Sequence, residues 1–81
     1  MDQIDIFNKV KHIIARELNK DKQLINMDVS LKGDLNFDSI DHPLLMAALE
    51  KRFAVQISDE ESDKLTIVAE IVELIEKKKG C

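Results

Sequence analysis

Gly33-Asp-Leu-Asn-Phe-Asp-Ser-Ile-Asp41 is the point at which this sequence changes character. Residues 20–38 lack a sustained period, whereas an apolar stripe at helical spacing opens just after Asp41. Ser39, between Asp38 and Asp41, therefore sits at a junction between loop and helix. A hydroxyl at a helix mouth meets unpaired backbone N–H groups and the positive end of the helix dipole, which favour an anionic group attached there. Taken alone, a serine before a helix is more simply its N-cap, worth about 1 kcal/mol. His42 follows three residues later, but no third orienting group or oxyanion signature accompanies it, so nucleophilic catalysis is not indicated.

Working outward, the stripe after the junction is Leu45, Ala48, Leu49 and Phe53, with Leu44 and Met46 beside it, which predicts a helix over 40–53. Toward the N-terminus, Ile6, Phe7, Val10, Ile13, Ile14 and Leu18 predict a helix over 3–19, with Asp2 or Asp5 suited to its start and Lys20 to its end. Residues 20–38 are too apolar for a free linker, carrying Leu24, Ile25, Met27, Val29, Leu31 and Leu35, and read as a long loop laid on the core. Such a stretch inside a compact domain is often functional. Downstream, Ser58-Asp-Glu-Glu61 has the capping-box form and predicts a short third helix over 59–63. The pairs Ile67/Val68, Ile71/Val72 and Leu74/Ile75 predict a last helix over 66–78, with Lys77, Lys78 and Lys79 at its negative end. The fold class is all-α: three main helices, a short third one in chain order, and a long loop between the first two.

Composition narrows the function. The chain has 81 residues, 44% hydrophobic and 35% charged, enough for one domain over residues 1–81 but not for a deep catalytic cavity. No apolar run is long enough for a membrane span, so a cytoplasmic protein is expected. The single cysteine, Cys81, cannot form an internal disulfide, and with His12 and His42 it makes no metal-ligand set. The net charge of −4 is concentrated in residues 38–63, where Asp38, Asp41, Glu50, Asp59, Glu60, Glu61 and Asp63 face only Lys51 and Arg52. Such a surface repels phosphate backbones and attracts basic proteins, so nucleic acid is not an expected partner.

The junction resembles the acyl carrier proteins, whose motif around the modified serine is commonly Asp-Leu-Gly-x-Asp-Ser-Leu-Asp. Asp34, Leu35, Asp38, Ser39 and Asp41 stand in register with it, and Ile40 replaces leucine. The likeness extends through Val10-Lys-x-Ile-Ile14, Leu49-Glu-x-x-Phe53 and Ile57-Ser-Asp-Glu-Glu61, covering nearly the whole chain. The resemblance implies an acyl-carrier-like four-helix bundle with 4'-phosphopantetheine, taken from coenzyme A by a magnesium-using phosphopantetheinyl transferase, attached to Ser39. It implies a monomeric carrier and not an enzyme, holding acyl groups as thioesters for acyl-loading and acyl-transfer or synthase enzymes with basic docking patches. Asp38, Asp41 and Glu50 would meet those patches. Ile40 and Met46 are read equally as partner contacts or as packing, and Asp41 also suits the first turn of its helix. Leu45, Leu49, Ile57, Val68 and Ile71 are core positions, a space that in this family can admit an acyl chain.

Four departures separate the chain from the carriers of fatty acid synthesis, which usually read Ser-Leu-Asp-x-Val-Glu-Leu. Leu44 replaces an acid, and Lys51 stands where another acid is frequent. Pro43 lacks an N–H and disfavours helical angles at His42, so either the regular helix is expected to begin near 41–43 and not at 39, or its first turn to be distorted. Phe37, often alanine in relatives, either lies over the base of the arm or packs against the loop. Together these point to a specialised carrier in a dedicated lipid or secondary-metabolite pathway. A peptidyl or aminoacyl carrier and an unmodified helical adaptor are the alternatives; the acids around Ser39 count against the first.

Overall fold

The computed structural model describes residues 3–38 and 40–79. Four α-helices occur among them: α1 (Gln3–Leu18), α2 (Asp41–Phe53), α3 (Asp59–Asp63) and α4 (Val68–Lys79). Each lies within two residues of its sequence-based expectation at either end. The loop between α1 and α2 holds one unanticipated element, a single 3₁₀ turn at Lys22–Leu24 started by the Asp21 carboxylate, which accepts from the Gln23 N–H.

Helix α1 is the member against which both α2 and α4 pack. Its stripe places Ile6, Val10, Ile13 and Ile14 in the interior, where they meet Leu45 and Leu49 of α2 and Val68, Ile71, Val72 and Ile75 of α4 in one apolar core. Burying a large aliphatic side chain contributes roughly 1.5–3 kcal/mol, so this shared interior outweighs any single polar contact on the surface.

The long loop is part of the same core. Ile25, Val29, Leu31, Leu35 and Phe37 are buried, while Leu24, whose apolar character also suggested packing, is 64% exposed. The backbone of the loop is tied to the start of α4. Val29 and Met27 carbonyls accept the N–H groups of Val68 (3.0 Å) and Ala69 (2.9 Å), and Leu31 donates to the Thr66 carbonyl (2.9 Å). An isolated antiparallel bridge, Ser30 with Ile67, lies between these bonds. Donors that a helix start leaves without intrahelical partners are thus satisfied by loop carbonyls. The Glu70 carboxylate takes the Thr66 and Ile67 N–H groups and the Thr66 hydroxyl, completing the cap.

Two helices end in the same way with different residues. Asn19 (φ 55°) follows α1 and lets Lys20 donate to the Ala15 carbonyl; Ala54 (φ 56°) follows α2 and lets Val55 donate to the Glu50 carbonyl. Left-handed backbone suits glycine and is tolerated by asparagine, but crowds the Cβ of alanine. Ala54→Gly should therefore stabilise the fold by about 1 kcal/mol, whereas Ala54→Val should destabilise it by at least as much. Urea-unfolding midpoints at neutral pH check both, and an Ala54→Gly protein no more stable than its parent would contradict the assignment of strain to this residue.

Candidate functional site

The junction that leads into α2 is built by a sequence of local hydrogen bonds. Asp34 folds back so that its carboxylate accepts the Ser30 N–H at 2.8 Å, and the Ser30 hydroxyl accepts the Gly33 N–H at 2.9 Å. The Ser30 carbonyl accepts from both Asp34 and Leu35 at 3.1 Å, and Phe37 donates to the Leu31 carbonyl at 3.0 Å. Between the buried Leu35 and Phe37, Asn36 adopts φ 55°, which turns the chain so that both neighbours reach the interior. Asn36 occupies the place of the motif's glycine, and asparagine is the side chain that best tolerates that conformation after glycine.

Asp38 then organises the helix start. One of its carboxylate oxygens accepts the Ile40 N–H at 2.8 Å and the Asp41 N–H at 2.9 Å, and its carbonyl accepts from His42 at 3.3 Å. The two backbone N–H groups, Asp41 first, hold the Asp38 carboxyl below the usual carboxylate range, since they favour its charged form. This corrects the sequence-based expectation that the helix mouth offers unpaired N–H groups to an anion: the aspartate before Ser39 already uses them. Ser39 itself lies outside the described residues, and so does its side chain. Its chain neighbours Asp38 and Ile40 are both exposed, Ile40 to 69%.

The regular helix begins at Asp41, as the proline requires. Pro43 falls in the first turn, where an N–H would have no intrahelical acceptor, so its missing donor costs nothing there. Asp41 is half-buried, with its carboxylate 3.4 Å from the Asp38 N–H. His42 points across to α3: its Nε2 lies 3.0 Å from the Ser62 carbonyl and within hydrogen-bonding distance of the Ser62 hydroxyl. The imidazole is thus a tie between α2 and α3. Phe37 meets the His42 ring edge-on at 6.3 Å between centroids.

Of the two readings of Met46, partner contact or packing, its burial at 6% exposure within the core favours packing. Glu50 is half-buried and one of its carboxylate oxygens accepts the Ile57 N–H at 2.8 Å, which fixes the chain after α2. Of the named residues, Asp38, Ile40 and Asp41 are brought together at the start of α2, the first two exposed and Asp41 half-buried. The structural roles of Asp34 and Ser30 were not anticipated; a serine and an aspartate flanking Lys32-Gly33 are the signal for such a turn.

Beside this junction lies a cavity of about 570 Å³, lined by Lys32, Phe37, Asp38, His42, Leu65 and Thr66 among others. Its mixed walls, with apolar Phe37 and Leu65 and the polar ends of Lys32 and Thr66, suit a slender chain that alternates alkyl and amide groups. A covalently tethered arm needs no enclosing cradle, and the groups present fit one on those terms. Among the described residues no group of His, Cys, Asp and Glu side chains could hold a metal ion.

The family described as "Phosphopantetheine attachment site" matches residues 8–75. The chain is 41% identical over 78 residues to the acyl carrier protein of Thermosynechococcus vestitus, covering 96% of each chain. It is 39% identical over 77 residues to the acyl carrier protein of Solidesulfovibrio magneticus, covering 95% of this chain and 99% of the relative. Identity to the acyl carrier protein of Campylobacter curvus is 36% over 72 residues, or 89% of this chain and 94% of that one.

Three carboxylates share one electrostatic sense. The Ser58 N–H, then Lys78 at 3.0 Å, lowers the pKa of Glu61, and the Thr66 hydroxyl and N–H lower that of Glu70, as the Asp41 and Ile40 N–H groups lower that of Asp38. A folded pKa below the unfolded one contributes stability above the unfolded value and loses it as pH falls through the folded value. The urea midpoint should therefore be level near neutrality and fall once pH drops below about 4. Asp38→Ala should lower the midpoint at pH 7 and make the acid decline shallower. A variant that keeps the parent's pH profile would show that the Asp38 cap is not contributing.

Proposed function

Because the chain belongs to the acyl carrier proteins, which hold acyl groups on phosphopantetheine and are carriers rather than catalysts, we propose that Ser39 is the attachment point of the arm. The observation that carries this reading is positional. Ser39 falls within the matched residues 8–75, and its chain neighbours Asp38 and Ile40 are both exposed, Asp38 also lining the cavity. When bound, the arm supplies a thiol that holds an acyl group as a thioester.

The chain's own residues position that tether. Asp38 accepts the Ile40 and Asp41 N–H groups, so those two donors would not be open to a phosphodiester on the next residue. Lys32 is the cation that lines the adjoining cavity, and Phe37 and Leu65 give that cavity its apolar side. His42 is engaged with Ser62 across the gap between α2 and α3 and is not poised to deprotonate a neighbouring hydroxyl or to activate water against a thioester.

Residues 1–81 act as one carrier domain in this reading, a cytoplasmic monomer loaded by a phosphopantetheinyl transferase and visited by acyl-loading and acyl-transfer enzymes. No described helix is long and apolar enough to cross a membrane. The exposed Asp38 and half-buried Asp41 form the acidic end of α2 that basic patches on those enzymes would meet. The same acids favour an acyl over a peptidyl cargo. Leu44, 54% exposed, and the exposed Lys51 support a specialised carrier, since neither adds negative charge to the outward face of α2.

Incubation with coenzyme A, magnesium and a broad-specificity phosphopantetheinyl transferase should raise the intact mass by one phosphopantetheine, and Ser39→Ala should abolish the increase while leaving the circular dichroism of the parent. No increase for the folded parent would overturn the assignment. Offered to general chain-elongating synthases, the acylated protein should turn over poorly; efficient turnover would remove the specialised reading and leave the carrier assignment intact.

A further inference from the structure

The outward face of α2 changes sign along its length. Its start carries Asp38 and Asp41, but beyond Leu44 the exposed residues are Ala47, Lys51 and Arg52. Leu44, Ala47, Ala48, Lys51 and Arg52 line a groove of about 610 Å³ whose opposite wall is Arg16 and Glu17 of α1. Leu44 leaves 54% of its surface in solvent at the head of this groove.

Three cations crowd this strip in a chain whose net charge is −4. Arg16 meets only Glu17, at 3.6 Å with Arg16 67% exposed, a geometry worth little. Lys51 and Arg52 have no carboxylate within ion-pair distance among the described residues. An apolar strip edged by unpaired cations is complementary to an apolar ridge edged by carboxylates.

We propose that the groove between the C-terminal half of α1 and the outward face of α2 docks an acidic, apolar-ridged helical segment of a partner protein. The inference extends the carrier reading by naming the chemistry of a second partner surface, opposite in sign to the one that meets Asp38 and Asp41. A lipid surface suits it less: the groove is recessed, offers one large apolar side chain, and belongs to a chain whose net negative charge repels anionic bilayers. The acids of α3, Asp59, Glu60 and Asp63, have no exposed large hydrophobic residue beside them, whereas Ile40 stands exposed between Asp38 and Asp41, so pairing with a second copy is a separate outcome of the test.

The test uses a fluorescent synthetic amphipathic helix with a leucine ridge flanked by glutamates, and its counterpart with lysines in place of the glutamates. Anisotropy titrations of the full chain should show tighter binding of the glutamate peptide, with amide shifts centred on Leu44, Ala47, Lys51, Arg52 and Arg16. Lys51→Glu with Arg52→Glu should weaken it about tenfold and favour the lysine peptide, as loss and reversal of two rim charges predicts. Leu44→Ser should weaken both, and Asp59→Lys with Glu60→Lys, which lies off the groove, should leave the ranking unchanged. The Ser39→Ala chain should bind as the parent does, so failure here is separable from failure of the attachment assignment. Equal binding of the two peptides, shifts confined to the Asp38–Asp41 end, co-sedimentation with phosphatidylglycerol vesicles, or dimerisation without peptide would each overturn the proposal.

Discussion

Two carbonyls of the long loop, those of Met27 and Val29, accept the N–H groups that open α4, and the Leu31 N–H returns a bond to Thr66. Without them the start of α4 would carry unpaired donors next to the core, at a cost of about 1–3 kcal/mol for each buried group. With them, a stretch that has almost no helix of its own is held against the bundle. Ile25, Val29, Leu31, Leu35 and Phe37 can then be buried. The same anchoring sets where the chain emerges at Asp38.

From that anchor the site is assembled by short-range chemistry. Asn36 accepts a left-handed backbone so that Leu35 and Phe37 both turn inward, Asp38 caps the next helix, and Pro43 restricts its regular start to Asp41. His42 reaches across to Ser62, and Lys78 reaches Glu61 at 3.0 Å, so the five-residue α3 is fastened from both sides by polar contacts. A helix so short has little stability of its own. Its position beside the cavity thus depends on those two ties and on the Ser58 capping box.

Much of this was legible in the sequence, for identifiable reasons. The stripes of α1 and α4 are wide and regular, so their buried faces followed from spacing alone. The Ser58–Glu61 box marked α3, and Pro43 marked the delayed start of α2. What periodicity missed were contacts between segments distant in the chain or side chains with two uses. Met46 could be read either way because it sits beside the main stripe of α2, and it is buried, while nothing in the spacing says that the Glu50 carboxylate accepts the Ile57 N–H. The helix mouth looked open to an anion because nothing in the composition says that Asp38 will fold forward onto it. The groove beside α1 was equally invisible, since Arg16 and Lys51 line one groove only once the helices are packed.

The central claim is that one hydroxyl carries the arm, and the chain offers an unusually clean way to locate it. Trypsin cleaves after Lys32 and Lys51, and within residues 33–51 Ser39 is the only hydroxyl-bearing side chain. Tandem mass spectrometry of that peptide, from protein purified out of its native cell, should find phosphopantetheine or its acylated form on the 33–51 fragment. A fragment that is always bare, or an adduct that maps to another peptide, would contradict the account.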